Sequence, residues 1–148
     1  MTRHGNWLEG RVTGGGRDGC IAGTGAQGQG SFQATIGRTP DAGVILIIAV
    51  RAERANFTAD APIRFAVDDR TFEFPGQANP GGSPAMLIAA NTEEEARRLS
   101  DLLVAMQRGR EVRITPGTAR PITLSLTGAS PALNGMRACA RRAGMMPG

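Results

Sequence analysis

The chain has 148 residues, no tyrosine, and a net charge of +4; all seventeen positive charges are arginine, because there is no lysine. That length accommodates one domain with a real core, so residues 1–148 are read as a single unit. Without lysine or tyrosine there is no Schiff base, phosphate-loop lysine, Ser-Lys dyad or phenolic acid.

The usage is skewed toward arginine, alanine and glycine, as a GC-rich bacterial genome would skew it. Residues 1–5 carry no apolar stretch and are expected to be a disordered or added end. The sole histidine, His4, lies there, so a Ser-His-Asp or Cys-His arrangement would have to be built on a frayed terminus. Trp7 to Val12 reads as a short strand with Trp7 as a core plug, and Gly14 to Gly19 reads as a loop. Cys20 to Thr24 and Ser31 to Ile36 form a predicted hairpin, the second strand alternating Phe32, Ala34, Ile36 against Gln33 and Thr35. Val44 to Val50 is continuously apolar and β-branched, the pattern of a central strand buried on both faces. It is also the longest apolar run and far short of the roughly 20 residues a membrane-spanning helix needs.

Ile63 to Val67 and Thr71 to Phe74 alternate on either side of Asp68-Asp69-Arg70 and predict a second hairpin. The Pro- and Gly-rich tract from Pro75 to Pro84 reads as a loop, and Ala85 to Ala89 as another strand. Thr92 and Glu95 make a capping box for a helix, with Glu93 and Glu94 favourably placed near the positive end of its dipole and one turn from Arg97 and Arg98. Ala96, Leu99, Leu102, Leu103 and Met106 form its apolar stripe, and Gly109 stops it. Glu111 to Thr115 and Ile122 to Leu126 are strands. Ser130-Pro131 predicts a second helix with an N-cap serine and a proline at the first position. On that helix Ala132, Met136, Cys139 and Ala143 share one face, so Cys139 points inward. The sum is an α+β, mainly β domain: an antiparallel sheet or β-sandwich of about eight strands with two helices packed on it.

Three motifs have simple alternatives. Gly23-Thr-Gly25-Ala-Gln-Gly28 fits a dinucleotide fingerprint in letters only, since the residues after Gly28 read as strand where the pyrophosphate needs a helix N-terminus. Asp68-Asp69 lies between two strands and reads as a turn rather than as paired carboxylates for a metal or acid-base work. The sequon at Asn56 carries little weight in a bacterial protein. Two distant cysteines and one terminal histidine do not make a metal site, and no cofactor is expected.

After Glu111 there is no acidic residue, while Arg113, Arg120, Arg137, Arg141 and Arg142 remain. That end is either a solvated face or one turned toward an anionic partner: a nucleic acid, a phospholipid headgroup or an acidic protein. Basic residues interleaved with aromatics, as nucleic-acid binding would favour, are missing. The cysteines Cys20 and Cys139 have three readings: two separate buried thiols in the cytosol, a redox pair, or a structural disulfide. A redox pair usually lies close in sequence. The reading adopted is a structural disulfide between Cys20 and Cys139, stapling the last helix to an early strand. It would close a loop of about 120 residues, worth on the order of 4–5 kcal/mol in the chain-entropy model, and would imply export to an oxidising compartment.

The stretch Leu99 to Cys139 runs from a helix through Met106-Gln-Arg-Gly-Arg-Glu-Val-Arg-Ile114 to Ile122-Thr-Leu-Ser-Leu-Thr-Gly-Ala-Ser-Pro-Ala-Leu133 and a final cysteine. This resembles the C-terminal half of the invasion-associated locus B family of proteobacterial envelope proteins, with Trp7 and Cys20 fitting the start of such a domain. Two cysteines and a glycine-rich first third depart from that family. The resemblance implies a periplasmic, β-rich module without known catalysis and supplies no catalytic residues. The expected function is an exported, non-enzymatic envelope interaction or accessory protein, binding a protein partner or an anionic envelope surface through Arg137, Arg141 and Arg142, with Arg108 and Arg110. The alternative is a cytoplasmic nucleic-acid-binding or regulatory module that uses the same basic end.

Overall fold

A computed structural model of the chain describes residues 1–39 and 43–146. The elements in order are β1 (Thr2–His4), β2 (Trp7–Gly14), β3 (Arg17–Ala26), β4 (Gly30–Thr39), β5 (Gly43–Ala52), β6 (Ala61–Val67), β7 (Arg70–Ala78), β8 (Ala85–Ala89), α1 (Glu93–Arg108), β9 (Glu111–Pro116), β10 (Ile122–Ser125) and α2 (Ala129–Arg142). All strand pairs are antiparallel, in the order β1-β2-β3-β4-β5-β8-β7-β6-β9-β10. The mainly β, α+β class is as the sequence predicts, but the described residues hold ten strands rather than about eight.

Nine of the ten fall on the runs read as strands, and the tenth is β1, where a disordered end was expected. Gly5, at φ +61°, turns Thr2–His4 back onto β2, pairing His4 with Trp7 and Thr2 with Glu9. Other boundaries also extend further than the sequence suggested. The predicted loop from Gly14 to Gly19 contracts to a two-residue turn at Gly15 and Gly16, both with positive φ. Such turns suit the right-handed twist of the strands they join. β7 likewise runs on to Ala78, into the tract read as a loop.

Aromatic rings trace how the sheet closes. Trp7 lies 5.9 Å from Phe32, Phe32 lies 6.3 Å from Phe65, and Phe65 lies 6.0 Å from Phe74. β4 and β6 are separated by three strands in the order, so their rings can touch only because the sheet curls over onto itself. The β10 edge folds back against β2 to β4, inside the other edge strand β1. Gln29, in the β3–β4 turn, accepts from the Thr123 main-chain N–H at 2.9 Å, and the Trp7 indole N–H donates to the Ser125 carbonyl.

The helices pack on the inner surface. α1 buries Leu99, Leu102, Leu103, Ala105 and Met106, while Ala96, placed by spacing on the apolar stripe, is exposed in the first turns. Half of the predicted capping box forms: the Thr92 hydroxyl accepts from the Glu95 N–H at 3.1 Å, while the Glu95 carboxylate accepts from that hydroxyl at 3.2 Å rather than from the Thr92 main-chain N–H. α2 buries Ala129, Ala132, Leu133, Met136, Cys139 and Ala140 against β1 to β4. Its N-cap is Gly128, not Ser130, and Pro131 lies inside the first turn. Gly128 has φ +94°, and any side chain there would collide with the His4 carbonyl. The helix therefore begins where the chain must pass close to β1, a tertiary requirement with no local sequence cue.

Cys20 and Cys139 form a disulfide, Cα to Cα 5.9 Å, that ties α2 to β3. Cys20 is fully buried and Cys139 nearly so. β5 is central, as predicted, but is covered on one side only. Ile48 and Val50 are buried in the core, while Ile45, Ile47 and Ala49 remain partly exposed on the outer face. A continuous apolar run reads as buried on both sides only if both sheet faces have covers. Here both helices lie on the same side.

Candidate functional site

The five arginines singled out by sequence divide into separate neighbourhoods. On α2, Arg137 is half-buried, and its Nη1 donates to Gln107 Oε1 of α1 at 2.8 Å. Gln107 in turn donates through Nε2 to Asn134 Oδ1 at 2.8 Å. An uncharged amide chain thus fixes the guanidinium at the seam between the two helices. Arg141, one turn further along, is exposed on the same side. Burial first, and then the charge of Arg141, hold the Arg137 guanidinium below its usual pKa.

Arg142 follows Arg141 directly and therefore projects about 100° away around the helix. Arg108 and Arg110 belong to another neighbourhood, the end of α1 beside the β6–β7 turn. Both carboxylate oxygens of Asp68 accept from the Arg110 main-chain N–H, at 3.2 and 3.4 Å, and Asp68 adopts φ +53°. A shallow hollow of about 180 Å³ there is lined by Asp68, Asp69, Arg70 and Arg108 among others. The turn reading of Asp68-Asp69 holds. Carboxylates beside Arg108 make that hollow electrically mixed, whereas the Arg137–Arg141 face is basic. Among the described residues, none of the five arginines forms an ion pair.

Ion pairs occur on other elements. Arg11 and Arg38 flank Asp18, at 3.0 and 3.9 Å, and Arg38 Nη2 also donates to the Ala143 carbonyl at 2.7 Å. That contact places a cation on the C-terminal end of α2, where carbonyls lack helical partners. Asp18 is held below the ordinary carboxylate range, chiefly by its hydrogen bond to Arg11. His4, expected on a frayed end, is instead ordered, with Nε2 3.4 Å from Glu9 Oε1. Its described hydrogen bonding reaches no hydroxyl or thiol. The described residues contain no group of three or more His, Cys, Asp or Glu that could hold a metal ion. The fingerprint glycines Gly23 and Gly25 lie within β3 and Gly28 in the turn behind it, with no helix following. At Gly23 a Cβ would sit 2.7 Å from the Phe32 carbonyl, so close strand packing accounts for that glycine.

The sequence reading missed the outer face of the sheet. Val12, Ile21, Ile45, Ile47 and Leu87 emerge there from four strands around a hollow of about 520 Å³, with Arg17 at one end. A signal for it exists in the sequence. Two helices, both following the first eight strands, cannot cover two faces of a large antiparallel sheet. One face must then be bare, including the outward residues of the Val44–Val50 run. No described helix is long and apolar enough to cross a membrane. No protein-family model, curated protein or solved structure gave a significant match to this chain.

Proposed function

We propose that this chain is an exported, non-enzymatic interaction domain of the bacterial envelope that holds an anionic partner against the seam between α1 and α2. The observation that carries this is Arg137: half-buried, oriented by Gln107, beside Arg141, and in no described ion pair. Two neighbouring guanidiniums without a carboxylate repel one another, and an arriving anion relieves that repulsion. Arginine's planar fork suits carboxylate or phosphate oxygens. Arg142 and the Arg108–Arg110 region are peripheral in this reading.

The buried Cys20–Cys139 pairing supports export, since disulfides persist in oxidising compartments. The resemblance to the invasion-associated locus B family points the same way. In the test, protein from intact cells is acid-quenched, denatured and labelled with a thiol-specific reagent, and capture on anionic phospholipid vesicles is measured alongside. The expected results are no labelled thiol before reduction and capture that is lost in Arg137→Glu/Arg141→Glu while thermal stability is retained. Two freely labelled thiols would remove the export argument, and unchanged vesicle capture by the double variant would remove this face. The cytoplasmic nucleic-acid reading uses the same arginines. It is favoured instead if the reduced protein binds generic DNA or RNA with a steep salt dependence.

A further inference from the structure

The outer face of the sheet, opposite the helices, is apolar where an antiparallel sheet facing water would ordinarily be polar. Register explains how its hollow arises. Gly19 and Gly37 are paired neighbours on β3 and β4, so two adjacent outward positions carry no side chain. Ile21 pairs with Thr35 on one side of that gap, and Thr35 pairs with Ile47 on the other. Ala49 then pairs with Leu87 on β8. Branched side chains thus stand around a floor of glycine, threonine and alanine, leaving a concavity of about 520 Å³. Leu87, at its rim, is 44% exposed.

Among the described residues, arginine outnumbers carboxylate around this hollow: Arg17 and Arg38 against Asp18. Alternation directs Arg17 outward with Gly19 and Ile21, and Arg17 forms no described ion pair. Asp18 and Arg38 also line the hollow, and the Asp18 carboxylate is occupied there by Arg11 and Arg38. At the far end β5 carries Arg51. The outward positions of β2, β3, β4, β5 and β8 include no aspartate or glutamate.

Size separates the candidate occupants. Five strands about 4.8 Å apart and about five residues deep offer roughly 300–400 Å². A standard interface takes about 800 Å² from each partner, so a second copy is poorly served by this patch. A concave floor also inserts nothing into a bilayer. A single flexible hydrocarbon chain fills such a hollow, and a negative headgroup would meet Arg17.

The geometry points to a fatty-acid site: one acyl chain lies across Ile45, Ile47 and Leu87 with its carboxylate at Arg17. It is a separate site from the α1–α2 seam, and neither depends on the other. Titration calorimetry of the intact, disulfide-bonded protein with octanoate, decanoate and laurate below micelle-forming concentration tests it. One saturable site is expected, tightening roughly threefold to fourfold per added methylene. Leu87→Glu should abolish laurate binding while leaving the melting temperature unchanged. Arg17→Glu should weaken laurate about tenfold and leave dodecanol unaffected. Dodecyltrimethylammonium binding as tightly as laurate, affinity independent of chain length, or association seen only with vesicles would overturn the assignment. Concentration-dependent dimerisation lost in Leu87→Glu, without laurate binding to the monomer, would assign the face to a second copy instead.

Discussion

The indole N–H of Trp7 donates to the main-chain carbonyl of Ser125 at 3.0 Å, joining residues 118 positions apart. Trp7 opens β2, one strand in from the β1 edge, and Ser125 closes the β10 edge, so this bond ties one edge of the curled sheet back onto strands near the other. Exposed strand edges are templates for unwanted pairing, and this contact covers the β10 edge. That cover is made by side chains, Trp7 on Ser125 and Gln29 on Thr123, in place of a ladder of main-chain bonds.

Trp7→Phe should therefore separate the bond from the packing. A phenyl ring retains most of the buried volume beside Phe32 but leaves the Ser125 carbonyl without its donor, for a loss of about 1–2 kcal/mol. Trp7→Ala adds a cavity and should lose about 3–5 kcal/mol. Urea unfolding followed by circular dichroism checks both, because Trp7 is the only tryptophan and fluorescence is lost with it. Equal losses in the two variants would show that the bond contributes nothing.

Reduction should be slow under native conditions, since both sulfurs are shielded from solvent. Once unfolded, the chain should lose the disulfide readily. Replacing both cysteines with alanine should lower stability by about 4–5 kcal/mol, the value for a loop of this length in the chain-entropy model. Denaturant midpoints for oxidised wild type and the double variant give the difference. A change under about 1 kcal/mol, within the error of most single mutations, would mean that packing alone holds α2.

Asp68 combines a left-handed backbone with a carboxylate that accepts the Arg110 N–H. Asparagine tolerates that conformation and still offers an acceptor, so Asp68→Asn should be nearly neutral. Asp68→Ala loses both advantages and should cost about 1–2 kcal/mol. Asp68→Gly should fall between them in thermal melts. Alanine and asparagine variants of equal stability would rule out the turn argument.

Acid should weaken the clasp formed by Arg11, Asp18 and Arg38. The Asp18 pKa is depressed in the folded protein, so its contribution is present above the unfolded carboxylate value. It is lost as pH falls through the folded value, below about pH 4. Asp18→Asn should flatten that part of the acid limb and leave stability at neutral pH little altered, because the pair is solvent-exposed. The comparison needs melting temperatures of both proteins from pH 7 to pH 2. Parallel acid limbs would assign the loss to other carboxylates.

Local signals were readable wherever neighbours in sequence are neighbours in space. The Thr92–Glu95 box, the Asp68-Asp69 turn, the alternation of β4 and β6, and the inward face holding Cys139 all depend on contacts within a few residues. Composition alone removed lysine and tyrosine chemistry. Features that the chain could not show locally were decided by closure of the sheet. β1 is ordered because β2 and Gly128 receive it, and α2 starts at Gly128 because His4 stands in the way. Cys139 meets Cys20 because α2 lies along β3. The arginines that looked like one basic end were parted by helix geometry and by the distance between the Asp68 turn and the α1–α2 seam. The run from Val44 to Val50 shows the limit most directly. Its hydrophobicity marks a central strand, but whether its second face is covered depends on where two helices land, and that is a property of the whole fold.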